Sequence, residues 1–503
     1  MPFGPKKYRF LLLFIVIFVI FIFLHDRKPG LPSWFELERI DPVEATLKRS
    51  IFEQHYPKAR SNPSRITKYG NSGFGDSHYE VPIDDEAVYV YKAYYDLRDP
   101  AGPRIRVLLT SNCSILANTT NTWDLKIRGK SIGVAWKKLT NGNRLSKCMD
   151  EGCAYWHYDI ASKVYEGNVP DMITFHRNEF FAEIPVERSP SKYTDDISAC
   201  IGALHWFNDW PRLILYVEMA RLNGISRILV TWQSISKEVQ AVIDYYQQRG
   251  IIKPHPWPLL SFNEKRDPNS NVYIVSHNLF TQHCNFWSSS KYTFLSDVDE
   301  MLYMRYHNKT LYVLLILQIG QANSEAGYNF KHTQLAVKMA PQPFEFEEFL
   351  KLDGLRKPKA YAEYRFPKSI WLTEYTRVAW VHYAREFFAN KTNYDIPPEE
   401  ALYFHLRENF KKKDAVIQYP DVELFRKDET DERLRGMART IREIFKNFEP
   451  GYRAPVNYAL MEECRSQQNK TCDDSGVTCW DLLSEMDNWI LAAPTPDSYY
   501  IPV

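Results

Sequence analysis

The segment 292–303, YTFLSDVDEMLY, holds the residues whose types and spacing could do chemistry. An apolar run is followed by Asp297, Asp299 and Glu300, three acids in four positions. Residues two apart on an extended chain point the same way, so Asp297 and Asp299 can face one ligand together. Carboxylate oxygens suit Mn²⁺ or Mg²⁺, and either ion would in turn bind a diphosphate. The pair therefore predicts glycosyl transfer from a nucleotide sugar, in which the ion neutralises charge on the departing diphosphate.

An Asp-x-Asp pair also has a simpler interpretation, because acidic residues commonly cap loops and helices. Here the pair occurs once in 503 residues and follows an apolar strand. Burying carboxylates is expensive unless a positive group meets them, and that group can be a metal ion or a neighbouring Lys or Arg. The position in the fold of the strand before Asp297 decides whether a metal site is favoured over simple capping acids.

The residues before this strand alternate between strand-like and helix-like patterns. The alternation predicts, in order, a strand over 196–203, a helix between Asp209 and Gly224, a strand over 228–230, a helix from Ser234 or Ser236 to Gly250, a strand from Ile251, a helical stretch around 270–286 and the strand over 292–295. Such a pattern is typical of βαβ units, which build a parallel sheet with helices on its faces. Ligands of these sheets bind beyond the carboxyl ends of the strands, where Asp297 and Asp299 are predicted to lie.

The N-terminal residues determine the predicted compartment. Residues 10–24 are uniformly apolar and are preceded by three basic residues. A helix of this length spans about 22 Å, which suits a thin internal membrane, and the positive flank predicts a cytoplasmic tail over 1–9. We predict an uncleaved signal anchor, that is, a transmembrane helix, over 10–24 and a stem over 25–84. A cleaved signal peptide is the alternative, although no small residues follow the apolar run.

The cysteines and the sequons agree with a lumenal compartment. The eight cysteines form an even set without C-x-x-C spacing, which favours disulfides over a zinc site. The net charge is +1 and the basic residues are scattered, so the sequence lacks the footprint of a nucleic-acid-binding protein. Asn-x-Ser/Thr sequons predict N-glycosylation at Asn112, Asn118, Asn308, Asn390 and Asn469.

The length and the changing patterns predict two folded lumenal domains. AVYVYKAYYDLRDPAGPRIRVLLTS contains two β-rich runs joined by a turn at 99–103, which predicts a hairpin. We predict a β-rich accessory domain over 85–190 and an α/β catalytic domain over 191–465. A C-terminal extension with disulfides is predicted over 466–503.

Longer segments of the sequence resemble glycosyltransferase family 92. ACIGALHWFNDWPRLILYVEMARLNGISRILVTWQSISKEVQAVIDYYQQRGIIKPHPWPLL resembles the opening of its catalytic domain, and CNFWSSSKYTFLSDVDEML resembles its helix, strand and acidic motif. PKSIWL, VAWVHYA and ALYFHLREN resemble its later segments, and the resemblance runs in order over residues 85–465. It implies a GT-A fold, an α/β nucleotide-sugar-binding domain with a mainly parallel sheet. Here that domain would follow the smaller β-rich domain and the N-terminal transmembrane helix.

The resemblance also implies an activity and a location. It implies a single-pass type II protein of the Golgi membrane whose lumenal part transfers galactose, with inversion, from UDP-galactose to a glycan acceptor on glycoproteins. Members of the family make β1,4-linked galactose, one group on the core fucose of N-glycans and another on galactan. Two alternatives stay open. The chain could be a lectin-like or pseudoenzyme module that keeps the fold for glycan binding, or a lumenal transferase that uses another nucleotide sugar.

Carried onto this sequence, the resemblance implies roles for individual residues. Asp297 and Asp299 match the pair that binds the metal, Mn²⁺ or Mg²⁺, and the donor diphosphate, with Asp299 the direct ligand. A further ligand comes from a downstream histidine, for which His405 is favoured over His382. Arg407 is placed to bind the donor diphosphate.

Leu406 departs from the family pattern, which usually has Tyr between this His and Arg, and it is the one feature that favours a pseudoenzyme. An inverting transferase also needs a general base for the acceptor hydroxyl, usually Asp or Glu. The sequence does not select among the acids of the region expected to face the acceptor, which are Glu325, Glu363 and Glu374. No role is predicted for three further histidines, His277, His283 and His332.

Overall fold

A computed structural model describes residues 88–112, 123–139, 153–178, 180–262, 267–305, 311, 314–315, 324–356, 358–363, 366–407, 417–419, 423–467, 472, 477 and 479–503. All of them belong to one compact unit, Lys48–Val503. The predicted tail, transmembrane segment and stem, residues 1–84, lie outside the described residues. Among the residues that are described, no helix is long and apolar enough to cross a membrane.

The strands are numbered in chain order. Those up to residue 204 are β1 (Val88–Asp96), β2 (Arg104–Asn112), β3 (Trp123–Ile127), β4 (Lys130–Ile132), β5 (Val134–Lys138), β6 (Tyr155–Ser162), β7 (Met172–Arg177), β8 (Phe180–Arg188) and β9 (Asp195–Leu204). Those that follow are β10 (Arg227–Trp232), β11 (Ser234–Ser236), β12 (Ile252–Pro256), β13 (Ser290–Ser296), β14 (Glu300–Met304), β15 (Glu325–Phe330), β16 (His332–Ala336), β17 (Lys359–Glu363), β18 (Lys368–Leu372), β19 (Thr376–Ala379), β20 (Ala384–Phe387), β21 (Thr392–Asp395), β22 (Ala401–Arg407), β23 (Ile417–Tyr419), β24 (Trp489–Leu491) and β25 (Ile501–Pro502).

The helices are numbered in the same way. They are α1 (Trp210–Leu222), α2 (Lys237–Gln248), α3 (His277–Trp287), α4 (Phe346–Phe349), α5 (Thr430–Ile444), α6 (Ala454–Gln467) and α7 (Trp480–Leu483). The first two begin where their caps predict. The Asp209 carboxylate accepts a hydrogen bond from the Arg212 N–H (3.3 Å), and the Ser236 hydroxyl accepts one from the Val239 N–H (3.4 Å). Each cap satisfies a backbone N–H that the helix itself leaves without a partner.

The first sheet has nine strands in the order β4-β3-β7-β8-β1-β2-β6-β5, with β25 beside β1. Its pairs are antiparallel except for β1 and β8. β1 and β2 form the predicted hairpin, and Gly102 in its turn has a φ of 129°, which a residue with a side chain rarely adopts. Tyr89 of β1 is paired with Pro502 of β25, so two segments far apart in sequence complete one sheet.

The second sheet has seven strands in the order β12-β10-β9-β13-β18-β15-β21. β12, β10, β9 and β13 are mutually parallel, whereas β18 is antiparallel to both of its neighbours. α1 connects β9 to β10 and α2 connects β10 to β12, as expected for βαβ units. Apolar residues of both helices and of this sheet are buried in one core, among them Leu213, Val217, Val239, Ile228 and Val230. The chain therefore has a mixed α/β fold.

A third sheet of five strands, in the order β14-β22-β16-β17-β23, positions the functional residues. β14 is antiparallel to β22, and β22 is parallel to β16. In this register Glu300 of β14 lies opposite His405 of β22. Because β14 begins directly after β13, the third sheet continues from the carboxyl end of the parallel strands.

Disulfides link the predicted C-terminal extension to the rest of the chain, and no described cysteine is free. The prediction of disulfides is therefore confirmed. One bond covalently joins β9 of the second sheet to α3. The bonds are Cys153–Cys472, Cys200–Cys284 and Cys464–Cys479.

Two of these disulfides are expected to differ in their contribution to stability. Cys153 and Cys472 are separated by 319 residues, whereas Cys464 and Cys479 are separated by 15. A longer closed loop restricts the unfolded chain more, so replacing the first pair by Ser should lower the free energy of unfolding by about 3 kcal/mol more than replacing the second. Urea unfolding of the two double variants measures the difference. Equal losses would contradict the loop-length argument.

Candidate active site

The acidic turn, residues 297–300, joins β13 to β14. β13 is parallel to β9, so the turn lies at the carboxyl end of the parallel strands, where ligands of such sheets bind. The Glu300 N–H donates to the Asp297 carbonyl (2.9 Å), and the Asp297 N–H donates to Glu300 Oε2 (2.9 Å). Glu300 therefore holds the turn closed through both its backbone and its side chain.

Lys368, the first residue of β18, provides the positive charge beneath this turn. Its side chain is fully buried, and its ammonium lies 2.7 Å from Glu300 Oε2 and 3.3 Å from Asp297 Oδ2. Burial alone would lower the pKa of Lys368, but the charges of Asp297 and Glu300 outweigh it and raise that pKa above its usual value. The sequence left open whether a metal ion or a neighbouring Lys or Arg offsets the charge of these acids. Lys368 does so for two of them, Asp297 and Glu300.

Asp299 faces a different set of partners. His405 Nε2 lies 3.1 Å from Asp299 Oδ2, and the guanidinium of Arg212 lies 3.7 Å from the same oxygen. Arg212 is held in turn by Asp209 at 2.8 Å. The backbone N–H of Leu406 donates to the Asp299 carbonyl (2.7 Å), which ties the acidic turn to β22. The structure thus brings together two of the residues predicted as metal ligands, Asp299 and His405.

Both aspartates of the turn are ionised at neutral pH. Burial acts to raise the pKa of Asp297, but the Lys368 ammonium, followed by two histidines, lowers it below its usual value. Burial also acts to raise the pKa of Asp299. The hydrogen bond and charge of His405, together with the charge of Arg212, outweigh it and lower that pKa below its usual value. The side chain of Asp297 is 45% exposed and that of Asp299 is 17% exposed, so ligands from solvent can reach both.

A second group of possible metal ligands lies deeper than the aspartates. Glu300, His332 and His405 are buried, and one ligand atom from each lies within 4.8 Å of the others. His332 Nε2 is 3.5 Å from Glu300 Oε1, and the rings of His332 and His405 are stacked with centroids 4.9 Å apart. Sequence reasoning gave His332 no role. It belongs to this group because β16 is the neighbour of β22 in the third sheet.

The charge state of this deeper group follows from its burial. Burial, followed by the charges of His405 and Lys368, lowers the pKa of His332 to about 3, so its ring is neutral at physiological pH. Burial raises the pKa of Glu300 to about 7, against the opposing effect of Lys368 and with support from Asp297 and Asp299. A neutral imidazole keeps a nitrogen lone pair for a metal, and a carboxyl with a raised pKa is a weaker ligand.

The remaining predicted residues lie on several elements of the fold. His382 lies between β19 and β20, and its ring stacks on Phe366. The histidine that lies against Asp299 is His405. Leu406 is buried in the main core, so the departure from the family pattern affects packing and leaves its backbone bond to Asp299 in place. Arg407 ends β22 opposite Ala336. The three acids considered for the general base are placed on separate elements: Glu325 begins β15, Glu363 ends β17 and Glu374 lies in the turn of 3₁₀-helix at Thr373–Tyr375.

Two of the predicted glycosylation sites lie in the described part of the chain. Asn112 ends β2, and Asn390 is exposed with a φ of 54° between β20 and β21. Glycosylation at both stays a prediction. The other three, Asn118, Asn308 and Asn469, lie outside the described residues.

Residues 195–449 match glycosyltransferase family 92, a match that covers more than half of the 503 residues. The chain belongs to this family, and the resemblance drawn from its sequence is confirmed. Membership supports a glycosyltransferase activity. No curated protein sequence matches the chain. An amylomaltase from Corynebacterium glutamicum aligns over 28% of this chain and 20% of its own, at 13% identity and a TM-score of 0.13, which is too low to indicate a shared fold.

Proposed function

We propose that the chain is a metal-dependent, inverting glycosyltransferase of GT-A type that transfers galactose from UDP-galactose to a glycan acceptor. The observation that carries the proposal is the pairing of Asp299 with His405 at the carboxyl end of the parallel strands, in a chain that belongs to glycosyltransferase family 92. A β1,4 linkage to the core fucose of N-glycans is the acceptor assignment that the family suggests. The lumen of the Golgi is the proposed location, with a single N-terminal anchor.

The donor set fits Mn²⁺ or Mg²⁺. Asp297 and Asp299 supply ionised carboxylates, and His405 supplies an imidazole nitrogen 3.1 Å from Asp299 Oδ2. Carboxylate oxygens suit both of these ions. The deeper group fits less well as the exchangeable site, because Glu300 is buried and its pKa is raised to about 7, which makes it a weaker ligand than the ionised and more exposed aspartates. We therefore assign the ion to Asp297, Asp299 and His405.

The bound ion would neutralise the negative charge that develops on the departing nucleoside diphosphate. The protein's own residues prepare this site. Lys368 and Glu300 hold Asp297, while Arg212 and the Leu406 N–H hold Asp299, so neither carboxylate has to be ordered when the donor binds. Inversion also requires a base for the acceptor hydroxyl, and the described acids leave that residue unassigned.

The first test is a donor panel. The purified full-length chain from a secretory host is incubated with Mn²⁺ and a set of UDP- and GDP-sugars, with and without a fucosylated N-glycan, while release of nucleoside diphosphate is followed. We expect release from UDP-galactose alone, stimulation by the acceptor, and loss with EDTA that added Mn²⁺ reverses. The loss follows because the two ionised aspartates repel a diphosphate when no cation lies between them.

The other outcomes separate the alternatives. Release from a different nucleotide sugar would keep the transferase and overturn the galactose assignment. Release that survives EDTA would overturn the metal assignment. No release from any donor by a folded chain would support the lectin-like or pseudoenzyme module, and binding of the fucosylated N-glycan by the same preparation would then be measured directly.

A further inference from the structure

An aromatic cluster surrounds His382 and is not among the contacts of the acidic turn described above. The rings of Phe366 and His382 are stacked, with centroids 5.1 Å apart and an angle of 25° between their planes. Trp380 meets His382 edge-on at 4.8 Å and Tyr383 edge-on at 4.7 Å. The guanidinium of Arg385 lies over Trp380 at 5.3 Å. Phe366 and His382 are called the aromatic pair below.

The aromatic pair is fixed next to the acidic turn. Phe366 precedes Lys368 by two residues, and the Lys368 ammonium contacts Asp297. The Ser369 hydroxyl donates to the His382 carbonyl (3.0 Å), which ties the His382 loop to β18. Burial lowers the pKa of His382 to about 4, so its ring is neutral at physiological pH. The pair therefore belongs to the rim of the same site.

The strand order places the aromatic pair on one particular side of the turn. β9 and β10 lie on one side of β13, and β18 lies on the other. β18 is antiparallel to β13, so its first residue, Lys368, lies at the carboxyl end of β13. Nucleotides bind at the carboxyl ends of parallel strands, here β9, β10 and β13. Phe366 and His382 therefore lie on the side of the acidic turn away from the expected nucleotide.

The exposure of Phe366 is unusual for so large an apolar side chain. It is 39% exposed, whereas Trp380 behind the pair is 7% exposed. A phenylalanine ring offers an apolar face with negative charge density, which suits the weakly positive C–H groups on one face of a sugar ring. The neutral His382 ring, held beneath Phe366, keeps the phenylalanine in place without adding charge. The rim thus provides a flat apolar surface beside an ionic centre.

We propose that the aromatic pair is an acceptor subsite in which the exposed ring of Phe366 packs against the apolar face of a pyranose of the acceptor glycan. His382 is the positioning residue that holds Phe366. The proposal rests on the proposed function, because it names the side of that site from which the acceptor enters. Stacking on the flat Phe366 ring would bind a neutral sugar without a charged side chain to hold it.

The test compares Phe366→Ala with a matched variant. Phe181 is 57% exposed and stacks on His176 at 5.5 Å, but it lies on β8 of the first sheet. Phe366→Ala is expected to raise the KM for the fucosylated N-glycan about tenfold, the usual cost of truncating an aromatic anchor. The kcat, the KM for UDP-galactose and its hydrolysis without acceptor should stay as in wild type. Phe181→Ala should change none of them.

Two further variants make the result independent of folding. Phe366→Leu keeps an apolar side chain without a ring and is expected to raise the acceptor KM as Phe366→Ala does. Phe366→Tyr keeps the ring and should keep the wild-type KM. Hydrolysis of UDP-galactose in the absence of acceptor reports that each variant has an intact donor site.

The outcomes distinguish this inference from the function on which it rests. An active wild type whose acceptor KM is unchanged in Phe366→Ala and Phe366→Leu would overturn the acceptor subsite alone. A raised KM for UDP-galactose with an unchanged acceptor KM would place the nucleotide on the ring instead, and would overturn it as well. A wild type that transfers no sugar from any donor would end both proposals.

Discussion

The Asp299→Asn variant is expected to lose about a thousandfold or more in transferase kcat while the chain keeps its fold. The substitution removes one negative charge without changing the size of the side chain. Asp299 is the carboxylate that His405 and Arg212 both meet, so its loss removes the ionic centre of the proposed metal site. Arg212 keeps its contact with Asp209, which limits the structural cost. The measurement is kcat for transfer from UDP-galactose at saturating Mn²⁺, together with circular dichroism.

The matched control for this experiment is Asp124→Asn. Asp124 lies on β3 of the first sheet, is 33% exposed and pairs with Lys126 at 3.7 Å. The Asp124→Asn substitution therefore removes the same charge from a comparable ion pair that is far in sequence from the acidic turn. We expect wild-type kcat from this control. A kcat above one tenth of wild type in Asp299→Asn, at any Mn²⁺ concentration, would defeat the assignment of Asp299 as a metal ligand.

The Lys368→Met variant is expected to lower the free energy of unfolding by about 3–5 kcal/mol, the usual cost of removing one partner of a buried ion pair. Methionine fills a similar volume but leaves Glu300 buried without the ammonium at 2.7 Å. The loss should be larger at pH 8 than at pH 5. Lys368 lowers the pKa of Glu300, so without it that pKa rises further above the unfolded value, and the folded state loses stability as pH rises and Glu300 ionises.

Urea unfolding followed by tryptophan fluorescence measures the loss at both pH values. Lys126→Met, which breaks the partly exposed pair with Asp124, provides the control and should change stability little. Adding Glu300→Gln to Lys368→Met should restore part of the stability, since no unpaired charge then stays buried. A loss in Lys368→Met equal to that in Lys126→Met would contradict a structural role for the buried pair.

The elements that carry the acidic turn could be predicted because the sequence signals for them lie within short segments. Asp209 and Ser236 cap α1 and α2 where a cap residue precedes an apolar periodicity, and the strands between them are short apolar runs. Alternation of these elements also predicts parallel pairing, and β12, β10, β9 and β13 are parallel. No local sequence pattern predicts that β18 is antiparallel to its neighbours. Its neighbours β13 and β15 pair with it across 38 to 80 residues, and periodicity within a segment does not report such pairing.

The same distinction separates the site residues that were predicted from those that were missed. Asp297 and Asp299 share a motif, and His405 was carried over from the family. Lys368 and His332 are single residues in strands, and they reach the acidic turn only through the pairing of β13 with β18 and of β22 with β16. The one sequence feature that could have drawn attention to Lys368 is its place in PKSIWL, where a charged residue precedes a short apolar run.

The pairing of Tyr89 with Pro502 has a consequence for the order in which the protein is made. A ribosome adds about 5–20 residues per second, so roughly 20–80 s pass between the synthesis of β1 and that of its partner β25. Until then the start of β1 is an open strand edge, able to pair with other chains. A shorter delay, over 319 residues, applies to Cys153, whose disulfide can form only after Cys472 has been made. The first sheet to be synthesised is therefore the last to be completed, and newly made chains should depend on chaperones and disulfide isomerases throughout that interval.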